Sequence, residues 1–389
     1  MNHYNNRESS DRPFRAALLL AIFLFSLILS PFLSVFGNFT GFDILILLIS
    51  VRAFLDPKFR LPKTLVFVSL VLILISISSL IYTVISFVDY YESVMNFGQV
   101  VFLSSFCVVA SAYFTSVIRL KHFLDAVVIF FIGSVGILWV SLFIELPIVK
   151  FDLVSRYLPL FSGFSALFVI ANAYCLYRFS NRQISSLHLL IVLLISLLSI
   201  YVTQQRSLLV GLIFGLVVLI MTEKKSVLLV PLALAVLLYN YELIFSLVAD
   251  LRVVSTLLSD NSRVKLIEDF VATITANPGV LLHGYGIEKW VGDADQEPHN
   301  VVLHMISDYG IFGAFSYITL VFGYGFNLLK PSSNLRLFSL FLVVCMLPNF
   351  MLHTYTLERG QLMLFMILSA YFFTSRFVMN AQVKSIKLS

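Results

Sequence analysis

Arg206 lies in an interruption of a long apolar stretch. Residues 186–222 are too many for one membrane crossing, and they are broken once, by Thr203-Gln204-Gln205-Arg206-Ser207. About 16 residues remain on either side, or roughly 24 Å of helix against ~30 Å of hydrocarbon. An arginine at such a break, below the outer membrane surface, indicates a functional site. The structural alternative is a hairpin tip whose arginine extends to the lipid headgroups.

A second polar group lies where a long connection meets a later apolar segment. The connection ends in Glu297-Pro298-His299-Asn300, and Asn300, His304 and Asp308 are spaced four residues apart. On a helix this spacing puts all three on one face, which should point into the protein interior if the helix enters a membrane. His299 is a candidate general base, because a neutral imidazole accepts protons well at neutral pH. A solvated loop histidine is the ordinary alternative.

Arg263 lies at the start of a predicted helix in the same connection. Apolar residues recur there at helical spacing, Asn261 or Ser262 can cap the helix, and Pro278-Gly279 ends it. The helix dipole disfavours a guanidinium at this end unless an anion binds between them. Arg263 is therefore either an anion ligand or an ordinary exposed arginine. The helix is equally well explained as one lying on the membrane surface.

The composition of the chain is unusually apolar, and it predicts the type of secondary structure that must position these residues. The chain has 389 residues, of which 59% are hydrophobic and 12% charged, and Phe alone accounts for 38. A soluble domain carries about 25% charged residues, so this chain cannot cover a folded surface in water. The composition excludes a cytosolic enzyme, a disordered protein, a nucleic-acid binder and a disulfide-stapled secreted domain. It predicts an all-α, polytopic membrane helix bundle.

Apolar segments long enough to cross a membrane recur along the whole chain. We predict twelve spans, at residues 16–36, 39–55, 64–88, 97–117, 123–145, 158–177, 186–202, 207–222, 226–248, 301–327, 335–353 and 361–377. The first is too long for a signal peptide and lacks a small-residue cleavage site, so it is predicted to be an uncleaved anchor. The prediction is a single integral membrane domain over residues 1–389.

The basic residues predict the orientation of these spans. If the amino terminus is cytoplasmic, most of the 26 Lys and Arg residues fall on the inner side, as the positive-inside rule requires. Both termini are then cytoplasmic. Residues 249–300 form one long outer connection between spans nine and ten, and long connections in compact proteins tend to be functional. Arg206, Arg263 and His299 all fall on that outer side.

The sequence contains no clear motif for nucleophilic catalysis, metal binding or nucleotide binding. There is no serine-histidine-acid arrangement, no metal-ligand spacing and no phosphate-binding loop, and Gly284-Tyr285-Gly286 follows no strand. Asp293 and Asp295 only approximate a metal-binding pair. Asp43 and Asp125 lie near span ends and are predicted to reach water. Cys107, Cys175 and Cys345 all lie within apolar runs and are predicted to be small core residues.

Three outer segments together resemble the O-antigen polymerase and O-antigen ligase superfamily of bacterial membrane glycosyltransferases. The first is Gln205-Arg206-Ser207-Leu208-Leu209, where Gln205 replaces the hydroxyl residue usual before the family's arginine. The second is Ser262-Arg263, followed by a helix, Asn277-Pro278 and Gly284-Tyr285-Gly286.

The third segment is Pro298-His299-Asn300-Val301-Val302-Leu303, continued by Asp308-Tyr309-Gly310-Ile311-Phe312-Gly313. In the family, an acid and two glycines recur at this spacing after the histidine-asparagine pair. The detailed resemblance covers roughly residues 200–315. It is specific because the three segments agree in order, in spacing and in predicted side of the membrane.

The resemblance implies a bundle similar to the GT-C class of glycosyltransferases and a particular reaction. Family members transfer a glycan from an undecaprenyl diphosphate carrier to an acceptor sugar at the periplasmic face of the inner membrane, with inversion and without a metal or other cofactor. By analogy, Arg206 and Arg263 would bind the diphosphate and His299 would be the base. Asn300 would orient the imidazole or a sugar. Together with His304 and Asp308, which share its helix face by their spacing, it is predicted to bind substrate. The implied partners are the lipid-linked glycan donor, a glycan or lipid A core acceptor and membrane lipid, with a chain-length regulator as a further candidate.

The sequence leaves several functions open. The preferred one is a polymerase that joins lipid-linked repeat units of O-antigen or exopolysaccharide. The closest alternative is the ligase that moves the finished polymer to the lipid A core, which needs the same diphosphate and base chemistry. A lipid-linked glycan flippase or transporter is a third hypothesis. It is less favoured because transporters often contain internal repeats, and none is apparent here.

Overall fold

The computed structural model describes most of the apolar segments of the chain. The described residues are 17–27, 34–36, 39–86, 97–98, 101–144, 149–152, 156–159, 163–203, 205–222, 268, 271–272, 275, 278–284, 301–329, 335–352 and 361–373. The ninth predicted span, residues 226–248, lies outside them.

Helices dominate the part of the chain that the structure describes. We label them α1 (Ala17–Leu27), α2 (Gly41–Phe54), α3 (Lys63–Ser86), α4 (Val108–Val117), α5 (Leu120–Phe143), α6 (Phe164–Ser180), α7 (Ser186–Thr203), α8 (Arg206–Thr222), α9 (Val280–His283), α10 (Val301–Phe322), α11 (Arg336–Leu352) and α12 (Gln361–Phe373). A π-helical turn at Leu103–Cys107 precedes α4, and a 3₁₀ helix at Gly323–Leu329 follows α10. The prediction of an all-α membrane protein is confirmed.

Two short hairpins interrupt the helices. Strand β1 (Ser34–Phe36) pairs antiparallel with β2 (Phe39–Thr40), and β3 (Val149–Asp152) pairs antiparallel with β4 (Arg156–Pro159). Both hairpins correct predicted boundaries. Span one was predicted to end at residue 36 and span two to begin at residue 39, but Ser34–Phe36 and Phe39–Thr40 are strands. Span six was predicted to begin at residue 158, but that residue lies in β4, and the helix begins at Phe164.

Eleven predicted spans coincide with helices, and three of these helical stretches are long and apolar enough to cross a membrane by themselves. They are Leu120–Phe143, Ser186–Thr203 and Tyr309–Leu329 within the described residues. Shorter helices occupy the positions of the other described spans. The number twelve therefore remains a prediction, whereas the membrane class of the protein follows from these apolar helices.

Helix α6 forms the centre of the described bundle. All of its residues from Phe164 to Leu176 are buried, and it packs against α5, α7, α8 and α11. By contrast, helices at the periphery expose large apolar side chains, such as Ile129 and Phe143 of α5. A helix that is apolar all round suits a bundle centre, and outward apolar side chains suit lipid. A helix buried to this extent is a fixed platform for the groups at its two ends.

Candidate functional site

The predicted break around Arg206 is present in the structure. Helix α7 ends at Thr203 and α8 begins at Arg206. The first turn of α8 is opened by the backbone N–H of Leu208, which donates to the carbonyl oxygen of Gln205 at 3.1 Å. Arg206 is thus the first residue of a helix, where free backbone N–H groups and the helix dipole favour an anion.

A side-chain hydrogen bond ties this break to the central helix. The hydroxyl of Ser165 donates to the side-chain oxygen of Gln205 at 3.1 Å. Ser165 is buried in the first turn of α6, directly after Gly163, which has a φ of 94° that non-glycine residues rarely adopt. The amino end of α6 and the amino end of α8 therefore lie side by side.

A seam of buried polar side chains continues from the break along α7. Ser196 donates to the side-chain oxygen of Asn172 in α6 at 2.9 Å, and Thr203 donates to the carbonyl oxygen of Ser199 at 2.9 Å. Ser196, Ser199 and Thr203 are all completely buried. Such hydrogen bonds join helices in lipid, where apolar contact alone gives little preference for association. The seam holds α7 against α6.

Close packing against α11 fixes the direction of α8. A Cβ added at Gly211 would collide with the backbone carbonyl of Cys345. A Cβ added at Gly215 would lie 2.6 Å from the Cys345 Sγ and 2.8 Å from a methyl carbon of Leu176. The two glycines form the G-x-x-x-G pattern that lets membrane helices approach closely. This contact is not among the predictions from sequence, although the spacing of the two glycines is a signal for it.

The tenth predicted span is kinked next to the predicted polar stripe. His304 and Asp308 lie in α10, where a helical backbone puts residues four apart on one face. Gly310 interrupts the helix with φ 69° and ψ −176°, a conformation adopted essentially by glycine alone. The amino-terminal part of α10, which carries both residues, can therefore run in a different direction from the rest of the span.

Helix α9, which belongs to the predicted long connection, rests on this kink. A Cβ at Gly310 would lie 2.5 Å from the carbonyl carbon of Leu282 and 2.8 Å from the carbonyl oxygen of Leu281, both in α9. Gly284, which is buried and has a φ of 75°, follows directly after α9. The predicted turn at Gly284-Tyr285-Gly286 thus begins with a left-handed glycine.

Parts of the predicted loop helix are also described. Residues 268, 271, 272 and 275 are helical, and Thr275 donates to the carbonyl oxygen of Val271 at 2.7 Å. Val271 belongs to the predicted apolar face but is 55% exposed. This exposure agrees with the alternative in which the helix lies on the membrane surface.

Three of the predicted site residues lie outside the described residues. These are Arg263, His299 and Asn300, and their proximity to Arg206 therefore remains a prediction. For Arg206, His304 and Asp308, the structure describes the backbone position. Asp293 and Asp295 also lie outside the described part of the chain, within which no group of three or more metal-ligating side chains occurs.

A polar cluster lies at the opposite end of α6 from Ser165. Arg178 forms a 3.1 Å ion pair with Asp125 of α5, and the Tyr174 hydroxyl donates to the same carboxylate oxygen at 3.0 Å. Thirteen residues of helix, or about 20 Å, separate Arg178 from Ser165. Asp125 is partly exposed, as predicted, whereas Asp43 is completely buried. The prediction that Asp43 reaches water is wrong, because its position in the first turn of α2 faces the bundle interior.

The fold and the break define a helical membrane protein with a polar interruption between two consecutive apolar helices. Residues 191–318 match the family model described as O-antigen ligase. The match covers about a third of the chain and confirms its resemblance to the O-antigen polymerase and O-antigen ligase superfamily. No curated protein matches the chain.

The matched segment contains all six candidate site residues that were predicted from the sequence: Arg206, Arg263, His299, Asn300, His304 and Asp308. It runs from α7 through α8 and the predicted long connection into α10. The match supports a polymerase or ligase type of activity in O-antigen biosynthesis. Such an activity belongs to a glycosyltransferase-like membrane enzyme that acts on a glycan or lipid-linked substrate.

Proposed function

We propose that this protein transfers a glycan from an undecaprenyl diphosphate carrier to an acceptor sugar at the periplasmic face of the bacterial inner membrane. The observation that carries the proposal is the position of Arg206 as the first residue of α8, in a polar break between two apolar helices. The break lies within the segment that matches the O-antigen ligase family. The orientation follows from the distribution of basic residues, with both termini cytoplasmic.

The leaving group of this reaction explains the need for arginine. A lipid diphosphate carries several negative charges, and a guanidinium can bind a phosphate through two parallel hydrogen bonds. Each hydrogen bond to a charged group contributes about 1.5–3 kcal/mol, and about 1.4 kcal/mol is tenfold in rate. Arg206 and Arg263 together would therefore increase the transfer rate by several orders of magnitude, provided that their hydrogen bonds stabilise the transition state.

His299 is proposed as the base that activates the acceptor. The acceptor hydroxyl attacks the anomeric carbon, the bond from that carbon to the diphosphate oxygen breaks, and the hydroxyl proton passes to the imidazole. A single displacement of this kind inverts the anomeric carbon. Asn300, which follows His299, and the 304 and 308 positions of α10 are proposed to contact the substrate.

The reaction is proposed to need no metal ion, because the arginines take the place that a divalent cation would occupy beside the diphosphate. A transfer assay with a strong chelator tests this proposal. The rate should be unchanged. A rate that falls and is restored by added metal would contradict metal independence while leaving the transfer reaction itself intact.

Polymerisation of repeat units is the preferred form of this reaction, and ligation to the lipid A core is the second candidate. The ligase is favoured by the description of the matching family, and both reactions use the same diphosphate chemistry. Purified protein in liposomes should be given lipid-linked repeat units alone, and then together with lipid A core.

A ladder of carrier-linked products from repeat units alone would support polymerisation, with a chain-length regulator needed only to narrow the distribution. Product formed only with lipid A core would establish the ligase instead. Translocation of the carrier without any glycan transfer would contradict both and would favour a flippase.

A further inference from the structure

The hydrogen bond from Ser165 fixes which end of the Gln205 side-chain amide is occupied. Ser165 donates its hydroxyl hydrogen to the side-chain oxygen of Gln205 at 3.1 Å. A primary amide carries its acceptor oxygen and its two N–H donors on opposite branches. With the oxygen bonded to Ser165, the N–H₂ group of Gln205 lies on the other branch of the amide and takes no part in this hydrogen bond.

This N–H₂ group has no hydrogen-bond acceptor among the described residues. The Ser165 contact is the side-chain hydrogen bond that Gln205 makes within them, and the side chain is only partly buried. The neighbouring polar groups of the seam differ in this respect. Asn172, for example, donates its own amide to the carbonyl oxygen of Phe168 at 2.9 Å. Within the described part of the chain, Gln205 therefore keeps both of its N–H donors available for a ligand.

The backbone next to Gln205 ties these donors to the proposed diphosphate site. The carbonyl oxygen of Gln205 accepts the first hydrogen bond of α8, and Arg206 is the next residue. Both ends of the Gln205 residue are thus fixed, its side chain by α6 and its main chain by α8. A donor held in this way loses little conformational entropy when a ligand binds.

We infer that Gln205 is a further substrate contact, whose N–H₂ group donates to an anionic oxygen of the lipid diphosphate beside Arg206, and that Ser165 is the residue that positions it. This inference rests on the proposed function.

The test compares four variants with the wild-type protein in lipid nanodiscs. Gln205→Met removes both donors at similar volume, and Gln205→Glu also puts a negative charge beside the diphosphate. Ser165→Ala removes the positioning hydroxyl, and Ser165→Thr restores a hydroxyl. The matched control is Ser199→Ala, which removes a buried hydroxyl that donates only to the carbonyl oxygen of Ser196, at 2.8 Å, in its own helix.

Two quantities are measured for each variant: the Kd for glycan-free undecaprenyl diphosphate and the KM for the lipid-linked donor in transfer. Gln205→Met should raise both by about tenfold to a hundredfold, as expected for loss of a hydrogen bond to a charged group, and Gln205→Glu should raise them further. Ser165→Ala should raise them by less, and both Ser165→Thr and Ser199→Ala should stay near the wild-type values.

The outcomes separate this inference from the proposed function. If the wild-type protein binds the carrier and transfers glycan, but Gln205→Met and Gln205→Glu both keep wild-type Kd and KM, the inference is wrong and the proposed function stands. If Ser165→Ala and Ser199→Ala weaken binding equally, Ser165 has no positioning role. A wild-type protein that neither binds the carrier nor transfers glycan overturns both proposals.

Discussion

Gly310 of α10 lies directly against the carbonyl group of Leu282 in α9. This contact joins α9, in the predicted long connection, to the kink of the span that carries His304 and Asp308. The contact needs a residue without a Cβ, and the positive φ of Gly310 independently needs a glycine. Gly310, one of the residues that carry the family resemblance, therefore has a structural role in this segment.

Replacing Gly310 should impair transfer strongly. In Gly310→Ala the new methyl group would collide with the Leu282 carbonyl, and the backbone would be strained by about 1–3 kcal/mol. The segment should shift and reduce the transfer rate at least about tenfold. The rate is measured on protein shown to be folded by size-exclusion chromatography.

Gly325→Ala is the matched control for this variant. Its new Cβ would meet only a methyl carbon of Val343, at 3.7 Å, which is an ordinary contact. It should keep nearly the full transfer rate. Equal rates for Gly310→Ala and Gly325→Ala would show that the contact with α9 is not needed for transfer.

Gly211→Ala should destabilise the protein by pushing α8 away from α11. The obstacle is the backbone carbonyl of Cys345, which cannot move aside as a side chain can. We expect a loss of about 1–3 kcal/mol in the free energy of unfolding, typical of overpacking, seen as a lower unfolding temperature in detergent.

Gly136→Ala in α5 is the matched control for Gly211→Ala, because its new methyl group has free space. Nothing lies within 4 Å of its new Cβ, and alanine favours a helix by roughly 1 kcal/mol relative to glycine. This variant should unfold at the same or a higher temperature. If Gly211→Ala behaves in the same way, the close packing of α8 on α11 does not contribute to stability.

How far the sequence predicts this structure depends on how local each feature is. The break at Arg206 interrupts a continuous apolar run and needs no partner to be recognised. The Ser165–Gln205 bond joins residues forty positions apart, and no periodicity of either segment links them. The kink at Gly310 lies in a run that is apolar on both sides, so hydropathy alone predicts one straight span.

Two predictions from sequence were wrong because they depend on packing between segments. Asp43 lies near a predicted span end, and such residues usually reach water, yet tertiary packing buries it completely. The hairpin at β3 and β4 replaced part of the predicted sixth span because Arg156–Pro159 pairs with Val149–Asp152. Both differences arise from contacts between segments, which hydropathy along a single segment does not describe.

Arg206→Lys should lose most of the transfer activity although it keeps the positive charge. A lysine ammonium is a point charge and cannot make the two parallel hydrogen bonds of a guanidinium to phosphate. We expect the transfer rate to fall by about tenfold or more, the equivalent of one lost hydrogen bond to a charged group. Near-normal turnover would count against a diphosphate clamp at this residue.

His299→Ala should abolish glycan transfer while leaving binding of the lipid-linked donor largely intact. A general base acts on the acceptor hydroxyl, so its removal affects the chemical step rather than the affinity for the donor. Transfer rate and donor Kd are measured on the same preparation. If donor binding is lost instead, His299 is a substrate contact and another group must accept the proton.

The central claim is that two guanidinium groups and one imidazole surround a single diphosphate. The most direct measurement is an experimental structure of the full chain in lipid nanodiscs with undecaprenyl diphosphate bound. We predict phosphate oxygens at hydrogen-bonding distance, about 3 Å, from both Arg206 and Arg263, with His299 on the same side of the membrane and about one sugar away. A diphosphate bound elsewhere, or His299 on the opposite side from Arg206, would contradict the account.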